Sequence, residues 1–354
     1  MCRLGHVLPQ RSPVFHAASR NGHVTLVPYQ GDRLAHADTW LSLHDDELRR
    51  RAVTAARDRD VETLVSLTLA YLTQHAASGI LTSPRTVDAY ALGIRQFLAY
   101  ADTQALALLR PERHAPQRYV QAMLAAGRKP AGVQLKIAAA GALYRALRWA
   151  GATEADPFRD VRVPRDPTSG IEKRPPYTED ELMEVLELAD QHTTFLIFLV
   201  AHAGLRISEA LALTWDDIDE ATRRLHVTSG KGRKARRVTM SVRLARAARQ
   251  FRALYGPGGP EHSRYRPSGR APGYVFRYAT QQAARYHLIR LFAEAGVPFR
   301  GFHPGRKYAG TRLLQQVKDF GRVAAHLGHA SVDTTRRGYA VLAADDLKDD
   351  LAGW

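Results

Sequence analysis

The sequence predicts a mainly α-helical protein with a small β-sheet, arranged as two domains. Apolar residues recur at intervals of three and four through residues 58–160, which is the pattern of a helical bundle. Residues 157–176 then contain five of the 18 prolines, and proline disfavours helix at its own position and at the preceding one. In the second half, two short alternating segments within residues 225–240 predict the sheet.

The composition indicates a folded protein with a polyanionic partner. A chain of 354 residues with 45% hydrophobic content can bury a substantial core, and its formal net charge of +16 suits double-stranded DNA, because clustered cations release counterions from nucleic acid. An anionic membrane is the competing partner, but we find neither an apolar run of about 18 residues nor a basic amphipathic helix at a terminus. Cys2 is the only cysteine, which excludes an intrachain disulfide, and the first residues lack a signal-peptide core. We expect a cytoplasmic, nucleoid-associated protein with no membrane contact.

We divide the chain into four segments. Residues 1–57 are an N-terminal extension of uncertain structure, in which a charged helical segment begins at Asp45. Residues 58–160 form the helical domain, residues 161–176 form the linker, and residues 177–354 form the second domain.

The helical domain contains four predicted helices. The first begins near Val61, and the second begins at Ser83-Pro84, since serine caps a helix and proline is favoured at its first position. The third and fourth span about residues 116–126 and 132–149. Helices of this size form a small bundle.

The second domain opens on a capping box, Thr178 with Glu181, for a helix that runs to about Asp190. An apolar helix follows and breaks at Gly204. A further amphipathic helix is predicted over residues 281–296.

An arginine, Arg206, lies directly after this glycine break among apolar residues. Burying an arginine is costly unless it is paired, and Glu209, one helical turn further on, is a plausible partner. From these residues alone, an internal Arg–Glu pair is the simpler interpretation.

The most basic part of the chain runs from residue 223 to residue 249, with ten Lys or Arg and no acidic residue. Two alternating segments flank a glycine-rich tip that contains Lys231, so we predict a β-hairpin. The remaining cations of the hairpin are candidates for DNA contact: Arg233, Lys234, Arg236 and Arg237. A solvated charge run is the plainer alternative.

Several chemically active side chains follow one another near the carboxy terminus. His303, Arg306 and Lys307 form one group, His329 follows a glycine, and Tyr339 stands ten residues beyond it. With 14 tyrosines and 15 histidines in the chain, any single one is more often structural than catalytic. The order of the group is the informative feature.

That order, His-x-x-Arg, then Leu-Gly-His, then Thr-Thr and a tyrosine, resembles the tyrosine recombinases of the phage-integrase family. The segment around Arg206 and the glycine-flanked Lys231 resembles the family's upstream motifs. The resemblance covers about residues 60–345 and implies an Xer-like site-specific recombinase. It also implies a SAM-like core-binding helical domain followed by an α+β catalytic domain.

The family's roles can be carried over residue by residue. The resemblance implies that Arg206 and Arg306 hold the phosphate, that Tyr339 attacks it to form a 3′-phosphotyrosine, and that Lys231, with Lys234 as the fallback, protonates the leaving oxygen. It likewise implies that His303 assists proton transfer and that His329 orients or hydrogen-bonds the phosphate. Proline at 304 suggests that His303 caps the helix presenting Arg306. We expect the reaction to require neither a metal ion nor ATP.

Two positions depart from the family's pattern. Lys307 stands where the family more often has a histidine, and the interval from His329 to Tyr339 is one residue longer than expected. Tyr308 is the other nearby tyrosine, and we expect it to point away from Arg306. A DNA-binding protein on the same fold that no longer cuts is the alternative, and a type IB topoisomerase is a third reading.

The tail after Tyr339 carries apolar residues at Leu342, Leu347, Leu351 and Trp354 and can form a short helix. It either docks on its own domain or, as the resemblance implies, on a neighbouring protomer. We therefore expect a homo-tetramer on DNA, or pairing with a second recombinase.

Overall fold

The computed structural model of the chain describes residues 28–166, 168, 170–228, 235–261, 273–278, 280–336 and 338. Four of the candidate residues lie outside these described residues: Lys231, Arg233, Lys234 and Tyr339. Contacts divide the chain into two compact units, with the boundary between Asp166 and Pro167. The mainly helical fold with a small sheet is confirmed.

In its described part, the first unit contains helices and loops but no strand. Its helices are α1 (Pro28–Leu41), α2 (Asp45–Asp58), α3 (Val61–His75), α4 (Pro84–Thr103), α5 (Ala115–Ala125) and α6 (Pro130–Trp149). The predicted cap of α4 is present, since Ser83 accepts a hydrogen bond from the Thr86 amide, and Asp60 caps α3 in the same way through the Thr63 amide. Phe97 packs edge-on against Tyr119 and Phe158 in the core, at centroid distances of 5.4 and 5.2 Å.

The first unit begins earlier than residue 58, where we had placed its boundary. Ala37 and Trp40 of α1, together with one face of α2, are buried in the same core as α3 to α6. The Trp40 indole donates a hydrogen bond of 2.8 Å to Ser66 on α3. The boundary was wrong because α1 contributes few large apolar residues, so its sequence lacks a clear helical period.

The second unit combines helices with a three-stranded antiparallel sheet. Its helices are α7 (Gly170–Lys173), α8 (Glu179–Leu188), α9 (Gln191–Ala201), α10 (Ile207–Leu211), α11 (Val242–Tyr255), α12 (Gln281–Glu294), α13 (Phe302–Val317) and α14 (Phe320–Leu327). The strands are β1 (Ile218–Asp219), β2 (Arg224–Val227) and β3 (Arg236–Thr239). The short α7 lies within the segment that we predicted to be a linker.

The β-hairpin prediction is confirmed by the pairing of β2 with β3. The register places Val227 opposite Arg236, so the connection between the strands comprises residues 228–235. Leu225 and Val238 are fully buried in the domain core, which fixes the register of the sheet.

The core of the second unit is built around the apolar helix α9. Phe195 stacks against Phe251 of α11 and against Phe276, at centroid distances of 5.0 and 5.7 Å. Helix α13 crosses α9 closely, because Gly305 has no side chain and its Cα faces Val200. This crossing brings the start of α13 to the segment that follows α9.

The predicted capping role of His303 is wrong. Helix α13 begins at Phe302 and its cap is Gly301, whose φ of 98° favours glycine. His303 is therefore inside the first turn, where its side chain shares a helix face with Arg306 and Lys307.

Across the described residues, no helix combines the length and the apolar character needed to span a bilayer. The same residues contain no cluster of three His, Cys, Asp or Glu side chains suited to a metal ion.

Candidate active site

Arg206 lies directly before α10, in an extended backbone conformation. Gly204 makes the preceding turn with φ of 65°, and a Cβ there would lie 2.4 Å from the Leu327 side chain. Glycine is therefore required both for the backbone conformation and for the close contact. The Arg206 guanidinium donates to Glu209 Oε1 at 2.9 Å, which is the predicted pair, and its side chain is 30% exposed. Arg206 therefore offers its guanidinium to solvent at one edge.

Arg306 approaches the same carboxylate from α13. Its Nη1 lies 3.8 Å from Glu209 Oε2, and its side chain is only 3% exposed. Nη1 also donates to the Gly204 carbonyl, and Nη2 donates to the Leu327 carbonyl at 2.6 Å. Segments 100 residues apart in sequence thus bring two guanidinium groups to one place.

Arg236 is the third arginine at this carboxylate. Its Nη1 and Nη2 donate to Glu209 Oε1 and Oε2 at 3.1 and 2.9 Å, a bidentate arrangement. The sequence suggests a DNA contact for Arg236, but its side chain turns inward and is 12% exposed, so these bonds favour an internal role. Its neighbour Arg237 is exposed, because successive residues of a strand face opposite sides.

Besides Glu209, the three arginines all contact the carboxy-terminal end of α14. Arg236 Nε donates to the carbonyl of His326 at 3.1 Å, Arg306 to that of Leu327, and Arg206 Nη2 to that of Gly328 at 3.4 Å. The last carbonyls of a helix have no partner within the helix, and they carry the negative end of its dipole. Three consecutive carbonyls therefore receive one guanidinium each.

Glu209 is ionised at any ordinary pH. Burial raises the pKa of its carboxyl, but hydrogen bonds from Arg236 and from the Arg206 backbone amide outweigh burial and lower the pKa to about 2. Three guanidinium groups around a single carboxylate leave an excess of positive charge. We call this arrangement of Arg206, Glu209, Arg236 and Arg306 the arginine cluster.

His303 and Lys307 border the cluster on α13. Desolvation, followed by the charges of Lys307, Arg306 and Arg174, lowers the pKa of His303, whose side chain remains exposed. Lys307 is buried and donates a hydrogen bond of 2.6 Å to the carbonyl of Arg174. Burial, and then the Arg174 charge, lower the pKa of Lys307.

His329 follows Gly328 at the end of α14. Desolvation and the charges of Arg306 and Arg206 lower its pKa to about 4, so its imidazole is neutral near pH 7. Its Nδ1 lies 2.7 Å from the hydroxyl of Thr335, a fully buried residue. Nε2 is the ring nitrogen outside this hydrogen bond.

Sequence reasoning missed three contributors to the site: Arg236 as an internal ligand of Glu209, Thr335 as the partner of His329, and Arg174 beside Lys307. The Thr-Thr pair was the only available signal for Thr335. The basic residues of the linker and the hairpin suggested solvent-facing charge, which hid Arg174 and Arg236.

The alternative tyrosine lies on another side of α13. The Tyr308 hydroxyl accepts a hydrogen bond of 2.6 Å from Arg312, and the ring packs against the hydrophobic core. Its hydroxyl is thus paired with Arg312, which forms an ion pair with Glu179.

Two family models match this chain. The model described as "Phage integrase family" matches residues 177–345, which include the arginine cluster, and "Phage integrase, N-terminal SAM-like domain" matches residues 80–151. The chain belongs to the phage integrase family. Members of this family are tyrosine recombinases, so the chain is an enzyme of site-specific recombination that cleaves and rejoins DNA.

A curated relative of this family member is tyrosine recombinase XerC of Xanthomonas campestris pv. campestris (strain B100). The two are 26% identical over 263 residues, which is 72% of this chain and 78% of the relative.

Two solved structures share the fold of this integrase-family chain. The Tn1549 transposon integrase in complex with transposon right end DNA has a TM-score of 0.56 and 18% identity, covering 82% of this chain and 99% of that one. A lambda integrase tetramer bound to a Holliday junction has a TM-score of 0.57 and 15% identity, covering 80% of this chain and 78% of that one.

Proposed function

We propose that this recombinase cuts one DNA strand at a time through a covalent 3′-phosphotyrosine intermediate, without a metal ion or ATP. The observation that carries the proposal is the convergence of Arg206, Arg306 and His329 on one cationic site from three separate segments. Transfer of a phosphodiester requires neutralisation of the nonbridging oxygens, an in-line nucleophile and an acid for the leaving oxygen.

The arginine cluster supports the first requirement. Arg206 has an exposed edge from which the scissile phosphate approaches, and Arg306 lies behind it on the same carboxylate. A guanidinium stays charged at any working pH and offers a planar fork of donors, so both groups stabilise the phosphate as it gains charge. Glu209 holds them in place without neutralising the site.

Tyr339 is the proposed nucleophile. Its oxygen forms a bond to phosphorus, the bond from phosphorus to the 5′-oxygen breaks, and the tyrosine proton leaves with a neutral imidazole or water. Lys231 gives a proton to the departing 5′-oxygen, and the energy of the broken ester is kept in the phosphotyrosine, so resealing needs no ATP. The hairpin supports this assignment, because the connection that contains Lys231 is followed directly by Arg236, a member of the arginine cluster.

The two histidines are proposed to act as neutral bases or hydrogen-bond donors. The pKa of His329 is lowered to about 4 and that of His303 is also lowered, so both are neutral before DNA binds. Binding of an anionic phosphate favours their charged forms, which prepares His303 to take up a proton. Lys307 supplies a donor where the family more often has a histidine.

The decisive experiment uses a nicked suicide substrate that cannot be resealed after cleavage. The wild-type chain is expected to accumulate a covalent protein–DNA adduct, Tyr339→Phe is expected to form none, and the matched control Tyr308→Phe is expected to retain the adduct. A wild-type chain that binds DNA without forming an adduct would instead identify a non-catalytic DNA-binding protein. Relaxation of plasmids that lack a specific target would favour the topoisomerase alternative.

We also propose that the protein acts as a tetramer of itself, or with a second recombinase, on double-stranded DNA. A cavity of about 760 Å³ in the second unit is lined in part by apolar side chains, among them Met240 and Leu313. Its lining also includes three arginines, Arg243, Arg312 and Arg322. The tail of the chain has matching chemistry, with four aspartates among its apolar residues 342–354.

We propose that the tail of one protomer binds this cavity on the next. Deleting residues 343–354 is expected to leave DNA binding by single protomers intact and to abolish the tetrameric complex in sedimentation experiments. Unchanged assembly and cleavage after this deletion would contradict the arrangement.

A further inference from the structure

The side chain of Arg236 donates three hydrogen bonds within this site. It binds both oxygens of Glu209 and the carbonyl of His326, and it does so from the first residue of β3. Its inward orientation leaves little of it exposed to DNA.

Arg236 also lies flat against the backbone at Gly328. A Cβ at that position would lie 2.8 Å from its Nη1 and 2.9 Å from its Cδ and Cζ. Gly328 carries the Arg206 contact on its carbonyl and precedes His329 in the chain. The guanidinium of Arg236 therefore lies between Glu209 and the backbone that precedes His329, and it fixes the distance between them.

We infer that Arg236 is a positioning residue, which locks the carboxylate of Glu209 and the end of α14 together so that Arg206, Arg306 and His329 meet the phosphate in one geometry. The inference rests on the proposed phosphodiester chemistry of this site. Arg236 acts through these neighbours and is not itself expected to touch the phosphate.

An arginine is needed for this role because its planar fork makes two parallel bonds to a carboxylate while Nε points to a third acceptor. A lysine at 236 keeps the charge but is a point donor, so it can hold Glu209 or the His326 carbonyl and not both. Arg236→Lys therefore tests geometry at constant charge.

Arg252 provides a matched control for this substitution. It too bonds a carboxylate, that of Glu220, and two backbone carbonyls, those of Trp215 and Ile218 at 3.0 and 3.1 Å. It stands outside the arginine cluster and its side chain is 35% exposed, so Arg252→Lys reports the general effect of removing a partly buried guanidinium that binds both a carboxylate and backbone carbonyls.

The first test measures single-turnover adduct formation per folded molecule with the full-length chain. Arg236→Lys is expected to slow this step by about 10²-fold, the effect of a displacement of about 1 Å at a reacting centre. Arg252→Lys is expected to change it less than threefold. On a substrate whose scissile phosphate carries a methyl group in place of one nonbridging oxygen, the uncharged phosphorus centre depends less on the arginines, so the deficit of Arg236→Lys should shrink.

The pH profile provides a readout that a merely structural residue would not change. The charges facing Glu209 are Arg206, Arg236 and Arg306, with His303 and His329 nearby. Loss of the Arg236 fork removes the strongest of the hydrogen bonds that lower the carboxyl pKa, so the acid limb of the profile should move to higher pH. Arg252→Lys should leave that limb in place.

The second test adds a Cβ at position 328, on the backbone that Arg236 contacts. Gly328→Ala places a methyl against Arg236, whereas Gly296→Ala introduces a similar positive-φ strain, at φ of 71° instead of 66°, with no atom within 4 Å of its Cβ. We expect Gly328→Ala to slow adduct formation at least tenfold more than Gly296→Ala.

The outcomes separate the two proposals. If the wild-type chain forms no adduct, the proposed function fails. If the wild-type chain forms it and Arg236→Lys matches Arg252→Lys in rate, substrate dependence and acid limb, the positioning role of Arg236 is overturned. Equal rates for Gly328→Ala and Gly296→Ala would overturn it as well, even if the Arg236 variants do not fold.

Discussion

Two glutamates in this chain have a similarly lowered pKa in different surroundings. Glu47 on α2 lies at the surface with its side chain 31% exposed, and hydrogen bonds from Arg50 and Arg51, three and four residues away, lower its pKa to about 2. Glu209 is buried. Burial raises the pKa of its carboxyl, but hydrogen bonds from Arg236 and Arg206 lower it to about 2.

The difference lies in what each carboxylate connects. Glu47 joins neighbours on one helix, which would be close together without it. Glu209 joins three segments that meet only in the folded protein, and it is the counter-charge for cations that would otherwise repel one another. A similar pKa therefore accompanies a local surface pair in one region and an organising centre in the other.

The largest expected effect comes from replacing the two carboxylates in turn. Glu209→Gln leaves three guanidinium groups without a counter-charge, which should cost about 3 kcal/mol of unfolding free energy and abolish adduct formation with the suicide substrate. Glu47→Gln should leave both the melting temperature and the cleavage rate unchanged, because exposed ion pairs contribute little. Equal losses of stability in the two variants would contradict the proposed difference between the two carboxylates.

A second prediction concerns the histidine that borders the buried cluster. The pKa of His329 is lowered to about 4 in the fold, from an ordinary value of 6.5. Between pH 6.5 and 4 the unfolded chain binds a proton that the folded chain does not, so stability falls as the pH falls through this window.

His329→Gln should remove this contribution and reduce proton uptake on unfolding by about one proton at pH 5, measured from the pH dependence of the melting temperature. His44→Gln, whose side chain is 84% exposed, is the control. A variant of His329 with the wild-type pH slope would contradict the assignment.

The smallest effect is expected at Thr335. Thr335→Val keeps the shape of this buried residue but removes the hydroxyl that contacts His329, which should cost about 1 kcal/mol of stability and slow cleavage about three- to tenfold. Thr334→Val removes a neighbouring hydroxyl that is exposed, so it should behave as wild type. Similar rates in the two variants would mean that the Thr335 contact does not orient the imidazole.

The helices and the hairpin could be predicted because local rules specify them. Ser83-Pro84 starts α4, the Thr178 and Glu181 capping box starts α8, and alternating residues define β2 and β3. Arg206 and Glu209 could be paired because they are one helical turn apart.

The orientation of Arg236 could not be predicted by the same means. Its partners are 27 and 90 residues away, and the basic run around it is typical of an exposed surface. The membership of α1 in the first core was missed for a similar reason, since its burial depends on Trp40 meeting Ser66 of α3. Long-range pairing of this kind is decided by tertiary contacts.

The contacts at the end of α14 constrain the number of residues in that helix. Asp319 caps its first turn and its last carbonyls meet Arg236, Arg306 and Arg206 in consecutive order. One inserted residue rotates everything beyond it by about 100° and advances it by about 1.5 Å, which would present each guanidinium with the wrong oxygen. The segment between Asp319 and Gly328 can therefore vary its exterior residues over evolutionary time, but not their number.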